Sequence, residues 1–172
     1  MKIILVILLS ILLCGCGAEP AWETVEDMSP VEAVAAAQQF YVLLPTEASA
    51  PAFRDDVAGE IYLCNGYTLT KQTMPSGDLE KTVKSISGQE KAQLQILQTS
   101  QEGAERYDFV WTAATEEGLQ LGRACILDDG NYHYVVSTMA GEAQAGDLQD
   151  TWQEIFTSCR LFPPDFTFNT GS

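Results

Sequence analysis

Three consecutive runs of alternating side chains, joined by two short turns, constrain the fold of this chain most. In the first run Tyr107, Phe109 and Trp111 alternate with smaller or polar residues. A period of two is typical of a β-strand with one buried face, and glycine-containing turns reverse such strands. The pattern therefore predicts a three-stranded antiparallel meander. Its strands are 107–113, 119–127 and 132–139, and its turns are 115–118 and 128–131.

The last strand of this meander has apolar side chains on both faces, with Tyr134 and Val136 on one parity and Val135 and Met139 on the other. A strand of this kind is covered on both sides. Helices are predicted to supply the cover. They are placed at 30–40, 78–87 and 147–159.

Each predicted helix has its own signals. Ser29 and Glu32 form a capping box for the first. Asp78 begins the second, and Gly88 follows its end. In the third, an apolar stripe starts at Leu148 and recurs with helical spacing.

Further strands surround the meander. Asn65-Gly66 is a strong hairpin signal between predicted strands. The remaining predicted strands are 22–26, 59–64, 67–73, 94–99 and a short edge at 161–162; loops are predicted at 46–56 and 140–146. The expected fold is α+β, with a central antiparallel sheet of about five to seven strands flanked by helices.

The N-terminus has the layout of a secretory signal, with Lys2, an apolar run at 3–13 and small residues after it. The residues Leu13-Cys14-Gly15-Cys16 resemble the lipobox of bacterial lipoproteins. That resemblance implies cleavage before Cys16 and a lipid on its thiol. The run is shorter than the roughly 20 residues of a membrane helix, so the lipid is the expected attachment to the extracytoplasmic face of the cell membrane. The predicted segments are a signal peptide at 1–15, a tether at 16–21, one domain at 22–162 and a tail at 163–172.

The chain carries a formal net charge of −15. Removal of residues 1–15 takes away Lys2 and no acid, so the mature charge becomes −16. Such a charge repels nucleic acid and anionic lipid head groups. It favours solubility, with a cationic partner as the alternative.

Cys64, Cys125 and Cys159 remain in the domain after cleavage and lipidation. Three thiols allow at most one disulfide. Cys64 and Cys125 are predicted as the pair because both lie on predicted strands, whereas Cys159 lies on a helix. Each could also pack as a small apolar residue. With no C-x-x-C motif and a single histidine, the sequence has no zinc pattern, and no metal or other cofactor is expected.

Two polar features could take part in catalysis or in metal binding. His133 has no sequence motif that supplies a nucleophile, so a catalytic role is not expected. Asp128, Asp129 and Asn131 could offer oxygens to calcium, but they lack the spacing of an EF-hand loop and are ordinary turn formers.

Arg123 shares strand parity with Leu121 and Cys125 and therefore points to an apolar face. A buried arginine must be paired. Arg123 is expected to meet an acid or to line a pocket, and an ion pair with Glu116 or Glu117 is the simpler interpretation.

The C-terminal half resembles the end of PsbP-like domains. The resemblance covers about residues 105–162. It rests on the strand Tyr132-His-Tyr-Val-Val and on the helix Trp152-Gln-Glu-Ile-Phe-Thr-Ser-Cys-Arg-Leu, in which Cys159 stands where an aromatic residue is common. It implies a sheet between helices, as in the PsbP-like α/β/α sandwich, and a mostly non-catalytic accessory or binding module. The whole chain also resembles small lipoproteins of Gram-positive gut bacteria.

The expected function is therefore a lipid-anchored extracytoplasmic accessory or binding module that is not an enzyme. The alternatives are a hydrolase of envelope material that acts through carboxylates, and a small solute-binding lipoprotein. An envelope protein is the expected partner. Its contacts are predicted on the turns at Glu116, Glu117, Asp128 and Asp129 and on the loop 140–146, because binding residues collect on loops.

Overall fold

The computed structural model describes residues 35–48, 50–55 and 59–167, all of them within the compact unit Val34–Ser172. The predicted signal peptide, lipidation site, tether and first strand lie outside the described residues, as do residues 30–34 of the first predicted helix and 168–172 of the tail. Across the described part of the chain, no helix has the length and apolar character needed to cross a membrane.

An antiparallel sheet of seven strands forms the centre of the described unit. Its strand order is β2-β3-β4-β8-β7-β6-β5, and β1 and β9 form a separate two-stranded sheet. The strands are β1 Gln39–Tyr41, β2 Phe53–Asp55, β3 Gly59–Leu63, β4 Tyr67–Pro75, β5 Ile96–Gln101, β6 Ala104–Thr115, β7 Gly118–Asp128, β8 Tyr132–Gly141 and β9 Arg160–Phe162. The helices are α1 Leu79–Ser87, α2 Glu142–Ala145 and α3 Gln149–Ser158.

The predicted meander is confirmed as β6–β7–β8, and its strands are longer than the sequence pattern indicates. The hairpin at Asn65-Gly66 is confirmed as well. The Cys64 N–H donates to the Tyr67 carbonyl at 2.9 Å. Gly66 has a φ of 83°, a left-handed conformation that glycine adopts without steric cost.

The sheet buries both faces, as the α+β prediction requires. On one side, which we call the α3 face, Leu69, Leu127 and Val136 pack with Phe156 of α3 and Phe40 of β1. On the other, the α1 face, the buried cluster contains Val83 of α1 and the sheet residues Phe109, Trp111, Ala124, Ile126 and Val135. β8 contributes to both clusters, which explains why it is apolar on both parities.

Both of the later helices form close to their predicted positions. Asp78 caps α1 by accepting a hydrogen bond from the Glu80 N–H at 3.0 Å. Gly88 ends α1 with a φ of 72°. α3 begins at Gln149, two residues after the predicted start at Asp147, and it buries Trp152, Ile155 and Phe156.

The predicted helix at 30–40 is wrong over its described part. Residues 35–38 have no regular structure, and Gln39–Tyr41 is the strand β1, which pairs with β9. Burial there has a period of two, since Phe40 and Val42 are each 7% exposed while Tyr41 is 38% exposed. Pairing with a distant strand outweighs the helix propensity of the alanine-rich segment.

Two predicted loops also contain regular structure. Residues Phe53–Asp55 of the 46–56 loop form the edge strand β2 against β3. In the 140–146 loop, β8 continues to Gly141 and is followed by the short helix α2. Ala145 is buried at 2% exposure, so this segment contributes to the core.

Candidate binding site

The Arg123 side chain lies on the α3 face of β7, stacked on a ring of α3. Its guanidinium carbon is 4.5 Å from the centroid of the Phe156 ring. Its Nη1 is 3.4 Å from Oε1 of Gln153. Stacking fixes the plane of the guanidinium and leaves its remaining N–H groups directed outward in that plane.

Arg123 separates two adjoining cavities on this face, which together we call the Arg123 groove. One has a volume of about 320 Å³ and lies between α3 and the sheet. The other has a volume of about 450 Å³ and lies over β5 and β6. Both are lined by Val110 and Arg123. Their other wall residues are Leu121, Ala145, Gln149, Asp150, Trp152 and Gln153 in the first, and Gln95, Ile96, Leu97, Asp108 and Phe109 in the second.

The groove has exposed apolar residues on the sheet beyond the edge of α3. Leu97 is 63% exposed and Val110 is 55% exposed. Leu119, on the same strand parity of β7 as Arg123, is 43% exposed. Leu97 is the register partner of Asp108 and Val110 that of Arg123, so these two side chains are diagonal neighbours, whereas Leu119 pairs with Ala114 nearer the β6–β7 turn. The groove thus combines apolar side chains, amides and two carboxylates around the Arg123 guanidinium.

The nearest carboxylate of the sheet is already neutralised. Asp108 accepts two hydrogen bonds from Arg106, from Nε at 2.6 Å and from Nη2 at 2.9 Å. This bidentate pair is partly buried, and it raises the pKa of Arg106 above its ordinary value. Within the described residues, Arg123 has no carboxylate at ion-pair distance, although Asp150 lines the same cavity.

Trp152 lines the groove, and its indole N–H is buried. The residue is 3% exposed, and its indole Nε1 has no hydrogen-bond partner among the described residues. A buried N–H without an acceptor costs about 1–3 kcal/mol.

The alternative expected for Arg123, a surface ion pair with Glu116 or Glu117, is not present. Both glutamates are exposed in the turn between β6 and β7, while Arg123 is half-buried and stacked on Phe156. The other alternative, that Arg123 lines a pocket, is what the structure shows.

The four acids predicted as partner contacts lie at opposite ends of the sheet. Glu116 and Glu117 lie at one end, beside Gly141 and Gln144, on a basin of about 780 Å³ that also includes the 64–68 hairpin. Asp128 and Asp129 lie in the β7–β8 turn at the other end. Consecutive turns of an antiparallel meander alternate between the two ends, so the four acids do not form one surface.

Asp129 is bound within the fold. Its Oδ1 accepts from the N–H groups of Asn131 and Tyr132 at 2.9 and 2.8 Å. Its Oδ2 accepts from Gln38 Nε2 and the Tyr134 hydroxyl, each at 2.9 Å. Burial alone would raise the pKa of Asp129, but these four donors outweigh it and lower the pKa below its ordinary value.

His133 is fully buried beside three polar side chains. Its Nδ1 is 2.9 Å from Thr82 Oγ1. On the other side, its Nε2 is 3.4 Å from Asp128 Oδ2 and 3.5 Å from Ser76 Oγ. Ser76 also donates to Asp128 Oδ1 at 3.1 Å. Ser76 and Asp128 both approach Nε2, and the hydroxyl on the opposite nitrogen belongs to Thr82, which is 7% exposed, beside a ring that is 0% exposed. The arrangement ties α1 to the β7–β8 turn.

The structure does not form the predicted disulfide between Cys64 and Cys125. All three cysteines of the domain are free thiols. β4 and β8 lie between β3, whose last residue precedes Cys64, and β7, which carries Cys125. Cys125 has Cys159 as its neighbour, and the interaction between the two thiols is the largest cause of a raised pKa at Cys125.

Comparison with known proteins identifies the fold through solved structures. No protein family model matches the sequence, and no curated protein matches it. One similar structure is LpqN of Mycobacterium tuberculosis, described as involved in cell envelope biogenesis, with a TM-score of 0.52 and 10% identity over 74% of this chain and 85% of that one. Another is the cyanobacterial PsbP protein CyanoP of Synechocystis, with a TM-score of 0.50 and 9% identity over 80% of this chain and 99% of that one.

The chain has a PsbP-like fold. This confirms the α+β class predicted from the meander and the C-terminal helix. At such low identity the likeness concerns the fold alone. The sequence predicts the groove only in part. The alternation of side chains along β7 predicts that Arg123 points to the apolar face, but it does not predict that Phe156, Trp152 and Gln153 lie beside it.

Proposed function

We propose that this PsbP-like domain is a lipid-anchored extracytoplasmic binding module whose ligand is a carboxylate with an apolar body, held in the Arg123 groove. This proposal takes up the alternative of a small solute-binding lipoprotein alongside the expected accessory or binding module. The proposal assigns no chemical reaction to the domain. The lipid is expected on Cys16 and the domain on the outer face of the cell membrane.

The proposal rests on the position of Arg123, which is half-buried and has no carboxylate at ion-pair distance among the described residues. A guanidinium costs free energy when it loses water without gaining a partner, and proteins pair half-buried arginines for this reason. Arg123 packs against Phe156, and its hydrogen-bond partner among the described residues is the neutral Gln153. Its fork of N–H donors matches a carboxylate.

The residues around Arg123 favour a ligand whose remaining part is apolar. Leu97 and Val110 expose apolar surface beside it, and each methylene group that they remove from water contributes about 0.8 kcal/mol. The two cavities, about 320 and 450 Å³, lie in the range of ligand sites, roughly 300–1,000 Å³. A molecule with both an apolar chain and a carboxylate satisfies both parts of the groove.

The electrostatics favour a ligand with a single negative charge. The chain as a whole is strongly acidic, at −15, and Asp150 lines the same cavity as Arg123. A polyanion would meet repulsion that one arginine does not offset. A monocarboxylate needs only one close cation.

The binding test uses decanoate, with decanol as its neutral match, in equilibrium dialysis at concentrations below micelle formation. Decanoate should bind the purified protein more tightly than decanol. Arg123→Gln should weaken decanoate binding by about tenfold or more, the value of a charge-assisted hydrogen bond. Decanol binding should change little.

Two control variants make this test specific. Arg54→Gln removes an exposed arginine on β2, at the opposite edge of the sheet, and should leave decanoate binding unchanged. Asp150→Asn removes the negative charge beside the groove and should leave the affinity equal or higher. Equal binding of decanoate by the parent protein and by Arg123→Gln would show that the groove is not the site.

The anchor is tested separately in cells. Cys16→Ser should leave uncleaved precursor and abolish labelling by a clickable fatty acid, because the thioether needs the Cys16 thiol. The matched variant Cys14→Ser should still be labelled and processed. Labelling that persists in Cys16→Ser would contradict the lipidation proposal.

The hydrolase alternative gains little from the two carboxyl groups of the groove, because Asp108 lines one cavity and Asp150 lines the other. A carboxylate mechanism needs two carboxyl groups facing one cleft, one of them free to carry a proton. Asp108 is held on both oxygens by Arg106. We therefore propose binding rather than hydrolysis.

A further inference from the structure

Cys125 and Cys159 meet in the core beneath α3. Cys125 lies on β7 and points to the α3 face, and Cys159 is the residue between α3 and β9. Each is 0% exposed, and both belong to the same buried cluster. Each thiol lies within electrostatic reach of the other and of the Arg106 guanidinium.

A network of hydrogen bonds fixes the end of α3 against the sheet at this point. Arg106 Nη2 donates to the Phe156 carbonyl at 2.9 Å. Gln101 Nε2 donates to the Cys159 carbonyl at 2.7 Å, and Arg106 Nη1 donates to Gln101 Oε1 at 2.8 Å. Asp108, the ion-pair partner of Arg106, is the register neighbour of Cys125. The backbone that carries Cys159 is therefore held beside the strand that carries Cys125.

We propose that Cys125 and Cys159 form a disulfide when the chain meets a disulfide oxidant, and that Cys64 remains the single thiol of the domain. This link replaces the pair expected from the sequence. It is independent of the Arg123 groove and of its ligand. Its only requirement is that the protein be exposed to oxidising conditions, as exported proteins are.

The chemistry is two steps of thiol–disulfide exchange. The thiolate of one cysteine attacks a sulfur of the oxidant, which forms a mixed disulfide and releases one thiol of the oxidant. The second cysteine, after losing its proton, attacks the protein sulfur of that mixed disulfide and releases the other thiol. Two protein thiols are oxidised to one disulfide, and the oxidant is reduced to two thiols.

Burial predicts how fast this exchange proceeds. Both side chains are inaccessible, and the neighbouring thiol and burial raise the pKa of Cys125 above its ordinary value, so little thiolate is present in the folded state. Oxidation of the folded protein should therefore be slow. It should accelerate in mild urea, which increases transient opening of α3 from the sheet.

The test uses the full-length chain with Cys14→Ser and Cys16→Ser, which retains only the three cysteines of the domain. The reduced protein is incubated with oxidised glutathione in mild urea, its free thiols are then alkylated under denaturing conditions, and the digest is analysed by mass spectrometry. The expected product is a linked peptide pair that contains Cys125 and Cys159. Cys64 should be alkylated or joined to glutathione.

Two variants separate this link from general oxidation. Adding Cys64→Ala should leave the yield of the linked pair unchanged, and adding Cys159→Ala should abolish it. The oxidised protein should unfold at a temperature several degrees higher than the reduced protein, because the link restrains the unfolded chain. A linked pair that includes Cys64, or alkylation of both Cys125 and Cys159 after exhaustive oxidation, would overturn the proposal.

Discussion

The carboxylate of Asp129 accepts four hydrogen bonds that join the β7–β8 turn to Tyr134 and to Gln38 before β1. Tyr134 also accepts from the Gln38 N–H at 2.7 Å. Burial and the adjacent carboxylate raise the pKa of the Tyr134 phenol to about 12, so it stays a donor to Asp129 at neutral pH. Asp129, which the sequence predicts as a partner contact, thus also holds the fold together through these hydrogen bonds.

Replacing Asp129 should destabilise the protein in a pH-dependent way. Asp129→Asn substitutes an amide nitrogen for one acceptor oxygen and removes the charge, and should lower the free energy of unfolding by about 1–3 kcal/mol at pH 7. The folded-state pKa lies below the unfolded value of about 3.9. The stabilisation is therefore complete above the unfolded pKa and disappears as the pH falls through the lower folded pKa.

Urea unfolding followed by tryptophan fluorescence between pH 7 and pH 3 measures this difference. The gap between the parent protein and Asp129→Asn should narrow as the pH drops. The exposed Asp165→Asn serves as the matched control and should track the parent throughout. A gap that stays constant over the whole range would show that the Asp129 charge contributes nothing.

At the scale of single elements, β1 shows how a weak local preference yields to a distant partner. Its three residues pair with β9, more than a hundred positions away in the chain. Phe40 is held between the Tyr134 ring, at 5.9 Å between centroids, and the Lys71 ammonium, at 5.7 Å from its ring. The capped helix α1, in contrast, has its start and end signals within its own sequence.

Alanine substitutions distinguish the strand from the predicted helix. In a strand, positions 40 and 43 point to opposite sides, whereas in a helix they share a face. Phe40→Ala should therefore cost about 3–5 kcal/mol, the usual range for a buried phenylalanine. Leu43→Ala should cost less than about 1 kcal/mol, because Leu43 is 45% exposed. Similar losses in thermal unfolding for both variants would favour the helix.

At the scale of the whole molecule, the two ends of the sheet differ in the state of their carboxylates. Those at one end are exposed, and those at the other end accept hydrogen bonds within the fold. One end presents the exposed pair Glu116 and Glu117. The opposite end contains Asp128 and Asp129, whose oxygens accept bonds from Ser76, Gly130 and the donors described above. Charge changes at the first end leave these internal hydrogen bonds intact, whereas changes at the second end remove their acceptors.

Paired charge reversals test this division. Glu116→Lys with Glu117→Lys should change the free energy of unfolding by no more than about 0.5 kcal/mol. Asp128→Lys with Asp129→Lys should lower the melting temperature by several degrees at least, because buried donors lose their acceptors. An equal change in melting temperature for the two double variants would contradict a role of Asp128 and Asp129 in stabilising the fold.

The sequence by itself determined the features whose signals are local. Strand alternation over 107–139, the Asn65-Gly66 turn, and the caps of α1 at Asp78 and Gly88 each act within a few residues, so their physical cause can be read along the chain. The alternation of side chains along β7 was sufficient to predict that Arg123 points to the apolar face. The PsbP-like arrangement follows from these elements, since a sheet that is apolar on both faces requires cover on both.

Only the tertiary structure decided which distant side chains meet. The stacking of Arg123 on Phe156, the pairing of β1 with β9, and the placement of Cys125 beside Cys159 rather than Cys64 all join residues far apart in the chain. No periodicity specifies such a contact, because it depends on how α3 and the strands pack. The separation of Glu116 from Asp128 has the same origin: their distance is set by the length and direction of β7, and charge alone does not indicate it.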